Sequence, residues 1–524
     1  MRLHESRRTI HQMLQDVTEK DPGAIAVSVI GDRDYSRAEV LRLATRFAGA
    51  LQADGVQGGD RIVLILGNRI DFVTAWCGSI LAGAVPVPFN TAFVGDVLEN
   101  LLRASDPKVV VMDGDLLPSI SPVLSSLNFS KRVIATGAPS QKAGSYVVPF
   151  DAWLESCNTT SITRNTPADV CTILYSSGTT GPSKGAIWPH NAVYSLADAF
   201  ATLGKFGVGD RVYTPCPLFH GLGLIMGFVG TLMYGGACVV APRFSLSRFW
   251  PEIIASQSTK TMLLSQMTTL VWQQEPSPLD RAHKVDAVFI SPRPTDYFEQ
   301  FEARFGWKVF GGLGPTDVGQ PIRVGQGDGN PTSVGKEAHD WEVKLVDDFD
   351  EEVQIGQTGE MVARPRQPYI GTLGYFGMPE ATTQLMRNCW YHTGDLLRRD
   401  KDGWYYFVDR KKDSMRRAGE NISSFEVENA LLAHPAVTGA AVFAVPAELG
   451  EDDVMASLLV REGASLEEIA IFVEARLPYY AVPRYFDIRT EFPLTHTQKV
   501  AKPKLKQDGV TPTTWDRGRT TRKR

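Results

Sequence analysis

The chain has 524 residues, of which 43% are hydrophobic and 22% charged, a soluble globular composition too long for one core and therefore expected to form at least two domains. Lys+Arg 54 against Asp+Glu 59 gives a net charge of -5, which excludes a global basic field for nucleic acid or anionic lipid, so any bound phosphate is held locally. The six cysteines (Cys77, Cys157, Cys171, Cys216, Cys238, Cys389) form no C-x-x-C pair and have no close histidine, against zinc or a disulfide framework; they are expected to be buried thiols in a reducing, cytoplasmic compartment.

The opening MRLHESRRTIHQML lacks an uninterrupted apolar stretch, so no signal peptide is expected. From Ala24 to about Ala241, strand-like runs alternate with helical patterns: AIAVSVI, RIVLIL, VPVPF, KVVVMD, RVIATG, VCTILY and ACVVA. Between the first two, RAEVLRLATRFAGALQADG places Leu41, Leu43, Ala44, Phe47 and Leu51 at helical spacing, with Gly55 to end the helix. This alternation marks an α/β fold with largely parallel sheets. Val212 to Pro242 carries no Asp, Glu, Lys or Arg and is long enough to span a membrane, for which roughly 20 apolar residues suffice. Pro215, Pro217, His220 and the pair Gly235-Gly236 break it, so a buried helix followed by a buried strand is expected. From Ser333 strands and turns dominate (EVKLVDD, EMVARP, WYYFVDR), and after VDRKKD mixed helix and strand resume (FEVENALLAHPAV, GAAVFAVPA, VMASLLV, LEEIAIFVEARL, YFDIRTEFP). The expected architecture is a large N-terminal domain of α/β layers with a β-rich subdomain, residues 1–411, and a small mobile α+β C-terminal domain, residues 412–524. The closing WDRGRTTRKR reads as a solvated tail.

The stretch YSSGTTGPSKG, Tyr175 to Gly185, follows the apolar run VCTIL. A P-loop fails, because Ser183 stands where the second glycine belongs and Gly185 where the magnesium-binding hydroxyl belongs. Gly181-Pro182-Ser183-Lys184-Gly185 has the letters of a hydrolase elbow, but an elbow needs a strand ending at the serine and a helix just after it, and AIW with Pro189 follows instead. The remaining functional reading is a loop whose backbone N–H groups and hydroxyls wrap a polyphosphate while Lys184 supplies point charge. A plain solvent loop rarely needs this density of glycine and hydroxyl.

YSSGTTGPSKG resembles the signature loop of the acyl-adenylate-forming superfamily, which includes acyl-CoA synthetases, luciferases and nonribosomal-peptide adenylation domains. Further motifs follow in the family's order: PLFHGLG at Pro217, GPTD at Gly314, SVGK at Ser333, TGE at Thr358, YHTGD at Tyr391, VDRKKD at Val408, AGENIS at Ala418 and PLTHTQKVAKPKL at Pro493. The C-terminal HTQKVAKPKLKQDGVTPTTWDR is similar to the subgroup around carnitine-type and bile-acid-type CoA ligases. The resemblance implies an ATP-dependent activation of a carboxylic acid to acyl-AMP, followed by thioester formation with coenzyme A and assisted by Mg2+. It implies that Ser176, Ser177, Gly178, Thr179, Thr180, Gly181 and Lys184 hold the β- and γ-phosphates, with Thr179 and Asp317 as magnesium ligands. Asp395 would accept hydrogen bonds from the ribose, and Arg410 would approach ribose and phosphate. Lys499, in P-L-T-x-x-x-K, would reach the α-phosphate and the attacking carboxylate. Lys412 would be the hinge about which the C-terminal domain swings, Gly419 would line the pantetheine path, and His220 would gate the acyl pocket from the thiol tunnel.

The chain departs from the family pattern at four places. Leu313, ahead of Gly314 and Thr316, replaces the usual aromatic ring against adenine, a loss of about 1 kcal/mol of stacking. Asp317 replaces glutamate, FISPRPTDYF lacks the usual small-residue run, and Gln498 stands where glycine is common. The acyl pocket is expected from His220 to Phe228, Ser265 to Thr269 and Gly311 to Gln320, with no obvious counter-charge, which points to a medium-to-large apolar or cyclic acid. Transfer to a separate carrier protein and a catalytically silent nucleotide-binding relative are the alternatives.

Overall fold

Ser36 begins the first long helix for a local reason. Its hydroxyl accepts the N–H of Glu39 while the Glu39 carboxylate accepts the N–H of Ser36, a reciprocal cap that sets the start of Arg37–Ala53. The helix ends two residues before Gly55, as its apolar spacing predicts. The computed structural model describes residues 8–127, 132–137, 147–155, 162–175, 183–291, 293, 297–413, 415–417, 420–447, 452–494 and 500–518. They gather into two compact units: one holds the described residues up to Glu342 together with Ala363–Tyr391, the other Val343–Val362 and the described residues from His392 onward.

The first unit is built of layers. A sheet in the order Val85–Pro88, Arg61–Ile65, Val109–Asp113, Arg132–Thr136, Val147–Pro149 is parallel throughout. A second sheet runs Lys336–Glu337, Ile322–Val324, Lys308–Leu313, Ala287–Ser291, Lys260–Leu264, Arg211–Thr214, Ala237–Val240, Ile25–Val29, Asp34–Ser36. Its interior pairs are parallel and its two margins antiparallel. The runs AIAVSVI, RIVLIL, KVVVMD, RVIATG and ACVVA are interior strands, buried on both faces as parallel strands require, whereas VPVPF forms the edge strand Val85–Pro88. Helices Arg37–Ala53, Ile70–Leu81 and His190–Leu203 fill the space between the sheets, around Phe47, Trp76, Phe200 and Phe228. Gly95–Ser105 and Leu117–Ser126 cover the outer face of the first sheet, and a cluster around Phe249, Trp250, Phe305 and Trp307 that of the second. VCTILY is the exception to the parallel pattern, since Val170–Tyr175 pairs antiparallel with Gly185–Pro189.

The charge-free segment from Val212 folds into Arg211–Thr214, a helical stretch wound as a π-helix over Leu222–Gly230, and Ala237–Val240, all buried within the first unit. Among the described residues no helix is long and apolar enough to cross a membrane. The second unit holds most of a sheet ordered Trp341–Val346, Thr358–Pro365, Tyr391–Arg399, Tyr405–Arg410. It also contains Val437–Pro446, Asp452–Val460, Tyr485–Ile488 and Trp515–Asp516 in one sheet, with helices Ser424–Leu432 and Leu466–Glu474 against it. The mixed α/β class read from the sequence is the observed one.

Cys77, Cys171, Cys216 and Cys238 are buried thiols as expected, and burial pushes the last two up to about 12. Cys389 corrects that expectation: it is exposed, carried outward on a turn in which Asn388 and Cys389 both take positive φ, 52° and 64°. Cys157 lies outside the described residues.

His190 opens the helix His190–Leu203 and is 1% exposed. Its Nδ1 accepts the N–H of Ile10 at 3.2 Å, which fastens the N-terminal helix Ile10–Lys20 to the layer core and requires that nitrogen unprotonated. Burial, reinforced by His11, holds the imidazole down at about 3. The unfolded chain takes up a proton near 6.5 and the folded one only near 3, so stabilisation complete above 6.5 is lost as the pH falls between these values. Urea midpoints followed against pH should show a slope of up to about 1.4 kcal/mol per pH unit from this group. His190→Asn should be less stable at neutral pH and lack that part of the slope; parallel profiles for the two proteins would exclude the linkage.

Candidate active site

In the larger sheet the chain leaving Arg211–Thr214 returns as Ala237–Val240 on one side, whereas the chain leaving Lys260–Leu264 continues to Ala287–Ser291 on the other. Connections diverging from neighbouring parallel strands leave a crevice beyond their carboxyl ends, where α/β sheets bind ligands. The segments assigned to the acyl pocket, after Thr214, after Leu264 and after Phe310, all begin at this edge.

His220 sits in the turn after Thr214, half-buried, its ring centroid 5.0 Å from that of Phe219. The turn is tight: the N–H of His220 donates to the Pro217 carbonyl at 3.1 Å, and a Cβ on Gly223 would strike that same carbonyl, so glycine is needed there. Asn68, 8% exposed, fixes the turn from the other sheet's side. Its amide donates to the carbonyls of Cys216 at 3.0 Å and Ala241 at 2.8 Å, and its oxygen accepts the N–H of Leu218 at 2.7 Å.

Lys184 and Asp317 meet through a residue that motif reading does not single out. The Lys184 ammonium lies 4.9 Å from the ring centroid of Tyr375, and the Tyr375 hydroxyl donates to the Asp317 carboxylate. Burial first, then the Asp317 charge and this hydrogen bond, raise the Tyr375 phenol well above its ordinary value, so it remains a donor. The main chain of the same turn is fixed by Trp188 Nε1, which donates to the Thr316 carbonyl at 3.1 Å, and by Thr372, whose hydroxyl donates to the Asp317 carbonyl at 2.6 Å. Leu313 ends the strand Lys308–Leu313, 8% exposed and paired with Ile322. Gly314 next to it has no room for a side chain, since a Cβ there would run into the Gly319 carbonyl oxygen. Gly185, the end of the signature stretch, belongs to a strand rather than a helix, which removes the hydrolase elbow around Ser183.

In the second unit Asp395 and Arg410 are cross-strand partners, and the Asp395 carboxylate, 0% exposed, is 2.6 Å from Arg410 Nε. Glu360 of TGE supports the same turn: its oxygens lie 3.5 Å from His392 Nδ1 and 3.0 Å from Lys411 Nζ, and it accepts the N–H of Gly394 at 3.2 Å. Burial opposes its ionisation, but the His392 and Lys411 partners prevail and hold the carboxyl at about 2. Lys412 is exposed, two residues beyond Arg410. Asp409, buried, accepts the N–H of Ser424 at 2.6 Å and of Arg410 at 2.7 Å. Ser176, Ser177, Gly178, Thr179, Thr180, Gly181, Gly419 and Lys499 lie outside the described residues.

Arg293 occupies the segment that lacks the small-residue run. It is 4% exposed, beyond the carboxyl end of Ala287–Ser291, and its Nη1 donates to the carbonyls of Asn330 and Ser333, both at 3.3 Å. Burial brings the guanidinium down to about 10, so it stays charged at neutral pH. Tyr375, Trp188 and Asn68 left no local signal in the sequence, being defined by contacts across the chain; Arg293 left one, a lone cation between two prolines.

The family model described as AMP-binding enzyme matches residues 14–376, and that described as AMP-binding enzyme C-terminal domain matches residues 426–499. A crotonobetaine/carnitine–CoA ligase of Salmonella agona (strain SL483) is 28% identical over 488 residues, covering 90% of this chain and 93% of that protein. One from Salmonella typhi is 27% identical over 489 residues, with the same shares. Among solved structures, the anthranilate CoA ligase AuaEII in complex with anthranoyl-AMP superposes with a TM-score of 0.88 at 24% identity, over 96% of this chain and 98% of that one. A benzoate CoA ligase from Burkholderia xenovorans LB400 gives 0.85 at 22% identity, over 95% and 99%.

Proposed function

The chain belongs to the AMP-binding enzyme family, and from that premise we propose that it is an AMP-forming acyl-CoA synthetase. The observation that carries the reading is the ordered set of motifs across both family regions, together with the likeness to carnitine-type CoA ligases over 90% of the chain. A carboxylate does not accept a thiol directly, because its oxygen is a poor leaving group. In the first step a carboxylate oxygen of the acid attacks the α-phosphorus of ATP, the bond to the bridging oxygen breaks, and pyrophosphate leaves. In the second the sulfur of coenzyme A attacks the acyl carbon, the thiol proton is lost, and AMP leaves with the electron pair of the acyl C–O bond.

Charge accumulates on phosphate oxygens in the first step, so these residues act by positioning and electrostatics. Ser176, Ser177, Gly178, Thr180, Gly181 and Lys184 hold the outer phosphates, Asp395 and Arg410 the ribose side, and Leu313, Gly314 and Thr316 the base. Lys499 offsets charge where the acid and α-phosphate meet. Asp317 and Thr179 would hold Mg2+, which neutralises phosphate charge when bound. A half-buried carboxylate with one oxygen engaged by Tyr375 fits that ion, which takes few protein carboxylates and completes its shell with phosphate oxygens and water. Exchange of the lysine for the thiol follows rotation of a C-terminal domain, residues 412–524, about Lys412. Gly419 then lines the pantetheine path, with His220 as the gate, in a cytoplasmic, reducing setting.

Incubating the protein with ATP, Mg2+, coenzyme A and a broad panel of carboxylic acids should release AMP and form a thioester with at least one acid. Adenylate without thioester would favour a carrier-protein acceptor. Absence of carboxylate-dependent pyrophosphate exchange with every acid would favour a catalytically silent relative.

A further inference from the structure

Arg293 is a buried cation of the first unit whose described surroundings do not match its charge. Moving an unpaired ion into a protein interior costs several kcal/mol, so buried guanidinium groups normally face a carboxylate or phosphate. Among the described residues none ion-pairs with Arg293; it has two neutral carbonyls on Nη1, the face of Phe298 4.1 Å from its central carbon, and a buried Nε without an acceptor. Among the described residues, the acidic groups that raise it electrostatically, Glu302 and Asp328, make no ion pair with it, and each is engaged elsewhere. Glu302 takes Lys308 and the Val309 N–H, while Asp328 takes the Gly325 N–H.

The position of this cation matters as much as its isolation. Its Cγ is 3.6 Å from where a Cβ on Gly311 would lie, which places the stem beside the adjoining strand just upstream of Leu313. Gly311 and Leu313 lie on one face of that strand. Leu313–Asp317 and Arg293 both stand at the carboxyl ends of the neighbouring parallel strands Lys308–Leu313 and Ala287–Ser291, so an acid activated at the first is on the same sheet edge as the second.

We infer that Arg293 recognises a second carboxylate on the far end of the acid, making the preferred substrate a dicarboxylate, whether its spacer is an alkyl chain or a ring. This rests on the acid-activating reading and adds a charged group to the medium-to-large apolar or cyclic acid expected from a pocket lining without Arg293. A planar guanidinium with an unengaged donor suits an oxyanion. Groups built to hydrogen-bond a substrate also reject analogues lacking the acceptor, because the buried donor is then left unpaired.

The test compares matched acids: glutarate with valerate, adipate with hexanoate, phthalate with benzoate. Both ATP–pyrophosphate exchange and direct binding by calorimetry are measured on the wild-type chain and on Arg293→Leu, Arg293→Gln and Arg293→Lys. At least one dicarboxylate should exceed its partner by about 100-fold in kcat/KM. Arg293→Leu and Arg293→Gln should erase that ratio mainly through the dicarboxylate, and Arg293→Lys should keep a ratio above about tenfold. Should the leucine variant fail to fold, the Gln and Lys pair carries the comparison. Equal use of both members of every pair, or a ratio unmoved by Arg293→Gln, would overturn the inference. Dicarboxylate binding that depends on Arg293 without exchange from any acid would sustain it while removing the acid-activating reading.

Discussion

Replacing Lys499 with alanine is expected to lower carboxylate-dependent ATP–pyrophosphate exchange by about 1000-fold or more, the scale of removing a preorganised donor from developing charge. ATP affinity should change by less than about threefold, because the interaction belongs to the transition state and not to the bound nucleotide. The second half-reaction separates this role from a general loss of structure. Supplied with a synthetic acyl-adenylate and coenzyme A, the variant should still form thioester at close to the wild-type rate, since in the proposed sequence the lysine withdraws before the thiol enters. Full exchange activity in Lys499→Ala would assign the motif's lysine to the same class as the exposed Lys504 and Lys506, and not to the reaction.

Asp395→Asn should raise the KM for ATP by about 100-fold, as expected for weakening charge-assisted hydrogen bonds to the two ribose hydroxyls. The substitution preserves shape but removes the charge that faces Arg410 at 2.6 Å. Breaking a wholly buried ion pair costs about 3–5 kcal/mol, but the Arg410 side chain is 36% exposed and remains hydrated when its partner is neutralised. The loss of folding stability should therefore be nearer about 1–2 kcal/mol. A double-mutant cycle with Arg410→Gln, read both in urea midpoints and in KM, divides the pair's structural share from its share in nucleotide binding. A variant that loses stability without a change in KM would confine Asp395 to the fold.

Patterns confined to a few consecutive residues were readable from the chain alone. The strands buried on both faces announced themselves as runs such as RIVLIL and ACVVA. The family motifs were legible because each is a short run of consecutive residues. Contacts joining distant positions left no such trace. Tyr375 reaches Asp317 across 58 residues, and Asn68 reaches Leu218 across 150. Nor does periodicity separate a π-helix from an α-helix in a stretch as uniformly apolar as Leu222–Gly230. Cys389 was misplaced because a rule about average thiol burial takes no account of the two left-handed residues that turn it outward.

The single amide of Asn68 holds a carbonyl and an N–H of the turn leading to His220 and the carbonyl beyond the neighbouring strand. The turn at 215–223 is thus not a portable cassette. A designer who transplants the turn at 215–223 from a different synthetase also inherits a requirement at position 68, about 150 residues upstream, and recombination that cuts between the two separates a wall from its bracket. Variation of this turn is therefore easier by side-chain exchange on the same backbone than by loop insertion.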